Sequence, residues 1–192
     1  SVTVTATATG FAGGSDSIEV TDIDAETNDL FYFSRKNNGT VAGVLFQNED
    51  IVAYNGSEFR VFFDGTPWAS GYALDAFFIQ ETGDILMSYS VAGSITGGSI
   101  SFDDSDILKF DPSTQTWEVY FDGSDVGLSS NGEDIDAISF APDGRLVIST
   151  SGSASASGVS SRDEDMLVFN EISLGANTSG SFEMYFDGSD VG

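Results

Sequence analysis

An eight-residue segment, Tyr-Phe-Asp-Gly-Ser-Asp-Val-Gly, occurs twice in the chain, at residues 120–127 and 185–192, 65 residues apart. A shorter version, Phe62-Phe63-Asp64-Gly65, stands one period earlier. Verbatim recurrence at such a period marks a supersecondary unit that stacks against copies of itself. It therefore bounds the fold more tightly than composition does.

Phasing the chain against this segment gives three repeats, 16–70, 71–130 and 131–192, behind an N-terminal stretch 1–15. In the third repeat, residues 135–141 form a predicted strand, Pro142-Asp143-Gly144 a tight turn, and 146–150 the return strand. A Ser/Gly/Ala loop over 151–162 leads to a third strand at 165–169, and a loop over 171–180 leads to a fourth at 181–186. The second repeat matches it, with strands at 74–80, 85–90, 106–110 and 117–121, a turn at Glu81-Thr82-Gly83-Asp84 and a Ser/Gly loop over 91–102. The first is more diverged, with strands at 17–22, 30–34, 50–54 and 59–63. Glu19 and Asp50 are 31 residues apart, as are Asp75 and Asp106, while Asp136 and Asp165 are 29 apart. No segment carries a helical period. The expected fold is all-β: one continuous domain of three four-stranded antiparallel meanders, plus an extra N-terminal strand.

Four-stranded units with Asp-Gly turns, rich in Asp, Ser and Gly, resemble the blades of β-propeller-like repeat proteins secreted by bacteria. The resemblance covers residues 16–192 and carries neither WD nor kelch signatures. It implies blades arranged about an axis. Because a ring takes roughly four to eight blades, three imply two chains in a six-blade ring, further sequence, or an open assembly. The second copy of the segment falls at a repeat boundary, where another repeat or a partner chain is expected to meet it.

Thirty-one acidic residues against six basic ones give a net charge of −25. Such a field repels nucleic acid and anionic lipid, and it favours cations or a solvated surface suited to high salt. No stretch approaches the ~20 apolar residues that span a bilayer, so neither nucleic-acid binding nor membrane insertion is expected. With no Cys and no His, disulfides, thiolate sites and imidazole chemistry are excluded. Abundant Ser, Thr, Gly and Asp with few Lys point to an extracellular or cell-surface protein. Sequons at Asn38, Asn55 and Asn177, all in predicted loops, are compatible with secretory glycosylation.

In a meander the start of strand one, the end of two, the start of three and the end of four share one rim. Asp134, Asp136, Asp163, Glu164, Asp165, Asp187 and Asp190 occupy these points in the third repeat, and Asp75, Asp103, Asp104, Asp106, Asp122 and Asp125 in the second. Glu19, Glu49, Asp50 and Asp64 do so in the first. Gathered carboxylates repel unless something offsets their charge. Ca²⁺, which takes six to eight oxygens in flexible geometry, is the candidate cofactor. Turn chemistry is the competing explanation, because Asp-Gly is favoured at strand ends without any metal.

Paired carboxylates could also serve a hydrolase or lyase, but so many acids make candidate pairs uninformative. No serine has a His or Ser-x-x-Lys partner, and the expectation is a non-enzymatic protein. Trp117, Phe77, Phe78 and Phe140 are expected between sheets, whereas Trp68, following Pro67 in a predicted loop, is a candidate for stacking a sugar. Finally, Val2, Thr3, Val4, Thr5, Ala6 and Thr7 form an uncharged alternating strand ahead of a hinge at 10–14. A surplus strand of this kind adds to an exposed edge, and between copies it makes a filament. The expected function is a secreted structural or adhesive protein that self-associates through strand edges, with Ca²⁺ at the acidic rim. The alternatives are a carbohydrate- or protein-binding propeller module of a larger surface protein, and a carboxylate-dependent hydrolase or lyase.

Overall fold

The computed structural model describes residues 31–96, 100–130 and 132–191. The expected N-terminal strand, its hinge and the first strand of the first repeat lie outside the described residues. In chain order, β1 (Phe31–Phe33) precedes a small hairpin of β2 (Gly39–Val41) and β3 (Val44–Phe46), followed by β4 (Ile51–Tyr54), β5 (Phe59–Phe63) and one helical turn, α1 (Thr66–Ala69). The second repeat contributes β6 (Leu74–Ile79), β7 (Ile85–Tyr89), a hairpin of β8 (Gly93–Ser94) and β9 (Ser101–Phe102), β10 (Ile107–Asp111) and β11 (Thr116–Phe121). The third contributes β12 (Ile135–Phe140), β13 (Leu146–Thr150), a hairpin of β14 (Ala154–Ala156) and β15 (Val159–Ser161), β16 (Met166–Ser173) and β17 (Ser179–Phe186).

The fold is all-β, as expected. The described residues form sheet 1 in the order β1-β4-β5, sheet 2 in the order β11-β10-β7-β6, and sheet 3 in the order β12-β13-β16-β17, with every pairing antiparallel. Sheets 2 and 3 are therefore four-stranded meanders.

Three local features differ from expectation. The connection between the second and third strands of each repeat, including the Ser/Gly-rich loops over 91–102 and 151–162, carries a two-stranded hairpin. Two of these reverse at paired positive-φ residues, Ala42-Gly43 (φ 48° and 87°) and Ser157-Gly158 (φ 52° and 84°), the conformation that closes two-residue hairpins with the right twist. β16 and β17 extend into the expected loop over 171–180. Trp68 sits on the helical turn α1, whose first turn accommodates Pro67 because N–H groups there have no partner within the helix.

Period-two alternation makes sheet 2 apolar on both faces. Ile85, Met87, Leu108, Phe110 and Trp117 pack toward sheet 1, against Ile51, Phe63, Ala69 and Trp68. Ala76, Leu86, Ile107 and Phe121 pack toward sheet 3, against Ile138, Leu146, Ile148, Leu167, Phe169 and Phe182. A sheet's rear face here means the one toward the preceding sheet, and its front face the one toward the next. β7 is buried along its whole length because it is covered on both sides. Each fully buried Phe or Leu removed from water contributes about 1.5–3 kcal/mol, so these two interfaces hold the stack together.

The two copies of the eight-residue segment lie in different surroundings. Phe121 is 0% exposed and Val126 7%, both inside the interface between sheets 2 and 3. Their counterparts Phe186 and Val191 are 40% and 72% exposed. One sequence thus has a buried and an open form within the same chain.

Candidate functional site

The acidic rim is built around one buried aspartate per repeat. Asp50, Asp106 and Asp165 stand immediately before β4, β10 and β16 and are almost inaccessible to solvent. In each, Oδ2 accepts the N–H of the residue three positions earlier: Gln47 at 2.8 Å, Asp103 at 2.9 Å and Arg162 at 2.8 Å. In each, Oδ1 accepts the N–H of the glycine in the Asp-Gly pair that follows β5, β11 or β17: Gly65 at 2.9 Å, Gly123 at 3.0 Å and Gly188 at 2.9 Å. The carboxylate thus latches the last strand of a sheet to its neighbour.

The aspartate of each Asp-Gly pair shapes the turn that follows. Asp64 accepts the Thr66 N–H, Asp122 the Ser124 hydroxyl and Asp125 N–H, and Asp187 the Ser189 N–H and hydroxyl. The residue three beyond each glycine then donates back to that glycine's carbonyl: Trp68, Val126 and Val191. Trp68 is therefore the first repeat's version of the Val126 plug. It is partly buried, 5.9 Å from Phe110 and 6.3 Å from Trp117 between ring centroids, so most of its area serves packing between sheets 1 and 2.

A second group of acids lies where sheet 2 meets sheet 3. The Leu74 N–H bonds the Asn48 carbonyl, and at the next junction the Ile135 N–H bonds the Asp104 carbonyl in the same way. This docking sets Asp134 against Asp75, with Asp104 and Asp136 nearby. Burial first, and then the charge of Asp75, push the Asp134 carboxyl up to about 7. Asp75 is also raised, mainly by burial. Oδ1 of Asp134 is buried and receives no donor, which suits a proton shared between two carboxyls that titrate as a pair. Asp106 rises to about 7 through burial, against the lowering effect of its two N–H donors.

Glu133, which sequence reasoning passed over, is nearly buried and accepts the N–H groups of Ser129, Ser130 and Ser155 at 2.6, 2.7 and 3.0 Å. Burial opposes its ionisation, but these donors prevail and hold its carboxyl below the usual range. It ties the connection between repeats to the β14–β15 hairpin. The Ser129-Ser130 pair shortly ahead of it was the available signal. Asp103 caps Ser105, Asp136 accepts the Ser149 hydroxyl at 2.6 Å, and Asp125, Asp163 and Asp190 are exposed. Among the described residues, no three carboxylates converge as a group that could hold a metal ion. Asn38, Asn55 and Asn177 all lie between strands; Asn38 and Asn55 use their side-chain oxygens to accept turn N–H groups.

Groups whose carboxyls are raised on folding give a definite pH dependence. Folding is favoured by Asp106 and Asp134 below their unfolded values near 3.8, and that contribution is lost as pH rises through about 7. Glu133 works oppositely, losing its contribution as pH falls below about 4.5. Thermal melts are expected to show greater stability at pH 5 than at pH 8, by about 1–2 kcal/mol after discounting for solvent screening, with Asp134→Asn reducing the difference. A melting temperature that falls steadily from pH 8 to 5 would contradict this assignment.

No protein-family description matches the chain and no curated protein is detectably similar to it.

Proposed function

We propose that the protein is a non-enzymatic structural or adhesive protein of the cell exterior, whose repeats are propeller-type blades and whose copies associate through their terminal sheets. One observation carries this reading. β17 is an eight-residue strand at the edge of sheet 3, and among the described residues it and its surroundings hold most of the large exposed apolar side chains: Met166, Ile172, Met184, Tyr185, Phe186 and Val191. Long apolar edges are where chains add to one another, and small soluble domains normally blunt them. The uncharged strand at residues 2–7 is the proposed linking element, adding to such an edge on a neighbouring copy.

Ca²⁺ enters this proposal as a counterion that relieves the self-repulsion of a −25 chain, rather than as a ligand of one tight site. The hydrogen bonds of the rim support this division, because its buried carboxylates are occupied with backbone N–H groups. A second reading, a carbohydrate- or protein-binding module of a larger surface protein, draws on the groove of about 550 Å³ beside Trp68, Phe62, Pro67 and Pro112. It ranks below the first because Trp68 is largely committed to the inter-sheet core.

Deleting residues 1–13 is the test. Sedimentation of the purified protein with Ca²⁺ and after chelation is expected to show concentration-dependent assemblies that shrink on deletion and weaken on chelation. Assemblies of unchanged size after the deletion would rule out the linking role of this strand.

A further inference from the structure

The exposed residues of sheet 3 occupy positions whose function the rest of the chain reveals. Aligning the repeats on their buried aspartates and Asp-Gly pairs sets Met166, Tyr185 and Phe186 against Ile107, Tyr120 and Phe121 of sheet 2, and Phe186 against Phe63 of sheet 1. Ile107, Phe121 and Phe63 are buried front-face residues that meet the next sheet, and Tyr120 packs against the same cluster. In sheet 3 the same face is open: Met166 is 43% and Tyr185 47% exposed. Beneath them, Val147, Val168 and Ala141 form a small separate cluster rather than part of either inter-sheet core.

The opposite end of the stack carries the matching half. In sheet 1, Tyr54 and Phe59 take the positions of Phe110 and Trp117, the rear-face residues by which sheet 2 grips its predecessor. Sheet 1 has no predecessor among the described residues. Its Tyr54, Phe59, Phe31 and Phe33 instead cluster with one another, with ring centroids 4.5 Å apart for Tyr54–Phe59 and 5.3 Å for Phe31–Tyr54. Phe31 is exposed and the other three are only partly buried.

We infer that the front face of sheet 3 docks the rear face of sheet 1 of a second copy of this chain, repeating between molecules the packing that sheets 1 and 2, and 2 and 3, make within one. The inference rests on the self-association proposed above and names its surface: face on face, in addition to strand on edge. The partner is argued from continuity, since both internal interfaces show an aromatic rear face covering a front face of this pattern. Such a contact is heterologous, so it propagates head to tail or closes into a ring according to the rotation per copy.

The absence of native cysteine makes a clean test. Tyr185→Cys and Phe31→Cys variants of the 192-residue chain are prepared separately, mixed, and oxidised, with assembly followed in parallel. The expected result is a disulfide-linked dimer in the mixture and little in either protein alone. A Tyr185→Cys protein that cross-links to itself as readily would overturn the inference, since that reports a symmetric contact, and so would a mixture that yields no dimer. Met166→Glu with Tyr185→Glu, which changes only exposed positions, should raise the concentration needed for assembly about tenfold or more with the circular dichroism unchanged. If assembly depends on residues 1–13 but not on these substitutions, the edge reading stands and the face inference fails. The reverse pattern removes the edge reading alone, and a protein monomeric throughout removes both.

Discussion

Phe121→Ala is expected to lower unfolding free energy by about 3–5 kcal/mol, and Phe186→Ala, at the same place in the same eight-residue segment, by less than about 1 kcal/mol. Phe121 is fully enclosed, with Phe169 at 5.2 Å and Phe182 at 6.3 Å between ring centroids, and its removal leaves a cavity lined by rigid neighbours. Phe186 is already in contact with water over much of its surface, so truncation forfeits little burial. Urea denaturation at dilutions below any assembly gives both values. Because residue type and local sequence are held constant, the difference isolates what the following sheet contributes. Equal costs would mean that the front face of sheet 3 is covered within the monomer.

Gly123→Ala is expected to cost about 2–3 kcal/mol although the backbone of Gly123, at φ −69°, suits any residue. The reason is proximity rather than conformation. An added Cβ would collide with the Ser105 carbonyl and sit 2.8 Å from the Ser105 side chain. Gly65 and Gly188 meet Glu49 and Glu164 in the same way, so the glycine lets the last strand approach the residue ahead of the buried aspartate. Moving the backbone aside would break the 3.0 Å bond from the Gly123 N–H to Asp106 and strand a buried carboxylate. Gly144→Ala is the control: its φ of 89° is unfavourable for alanine, but nothing lies within 4 Å, so it should cost only about 1–2 kcal/mol. Thermal melts of the two variants distinguish the effects, and a Gly123→Ala protein as stable as the parent would remove the latch from this account.

Much of this architecture was legible in the sequence because turn residues fix where strands must reverse. Asp-Gly and Pro-Asp-Gly bracket the apolar runs, so the strand at 146–150 and the one at 59–63 coincide with β13 and β5. The hairpins between the second and third strands were hidden because their strands are two or three residues long, too short to show a period, and β8 and β14 are built only of Gly, Ser and Ala. Ala154 and Ala156 alternate inward, but a pair of alanines is too weak a pattern to separate from a loop. The acidic rim was visible as a cluster of residues, while its chemistry was not. Asp106 and Gly123 are 17 residues apart, and only the meander brings them together. The recurrence of an Asp 15 to 23 residues ahead of the glycine in each Asp-Gly pair that follows a repeat's last strand was the signal available. The junction of Asp75 with Asp134 depends on how one sheet docks on the next, which no single repeat encodes.

The same point governs the duplicated segment. Its Phe and Val are buried where another sheet packs over them, as at Phe121 and Val126, and lie open on the last described sheet, as at Phe186 and Val191. Its Asp-Gly half forms the latch in both copies. The proposed assembly between molecules would supply from outside the cover that sheet 3 supplies to sheet 2 within the chain.

Electron microscopy of the purified protein over rising concentration tests that claim most directly. The expected result is rows or closed rings of copies related head to tail, with the step from sheet 3 of one copy to sheet 1 of the next reproducing the step between sheets 2 and 3. Single particles of 20.2 kDa at every concentration, or pairs related by a twofold axis through sheet 3, would contradict it.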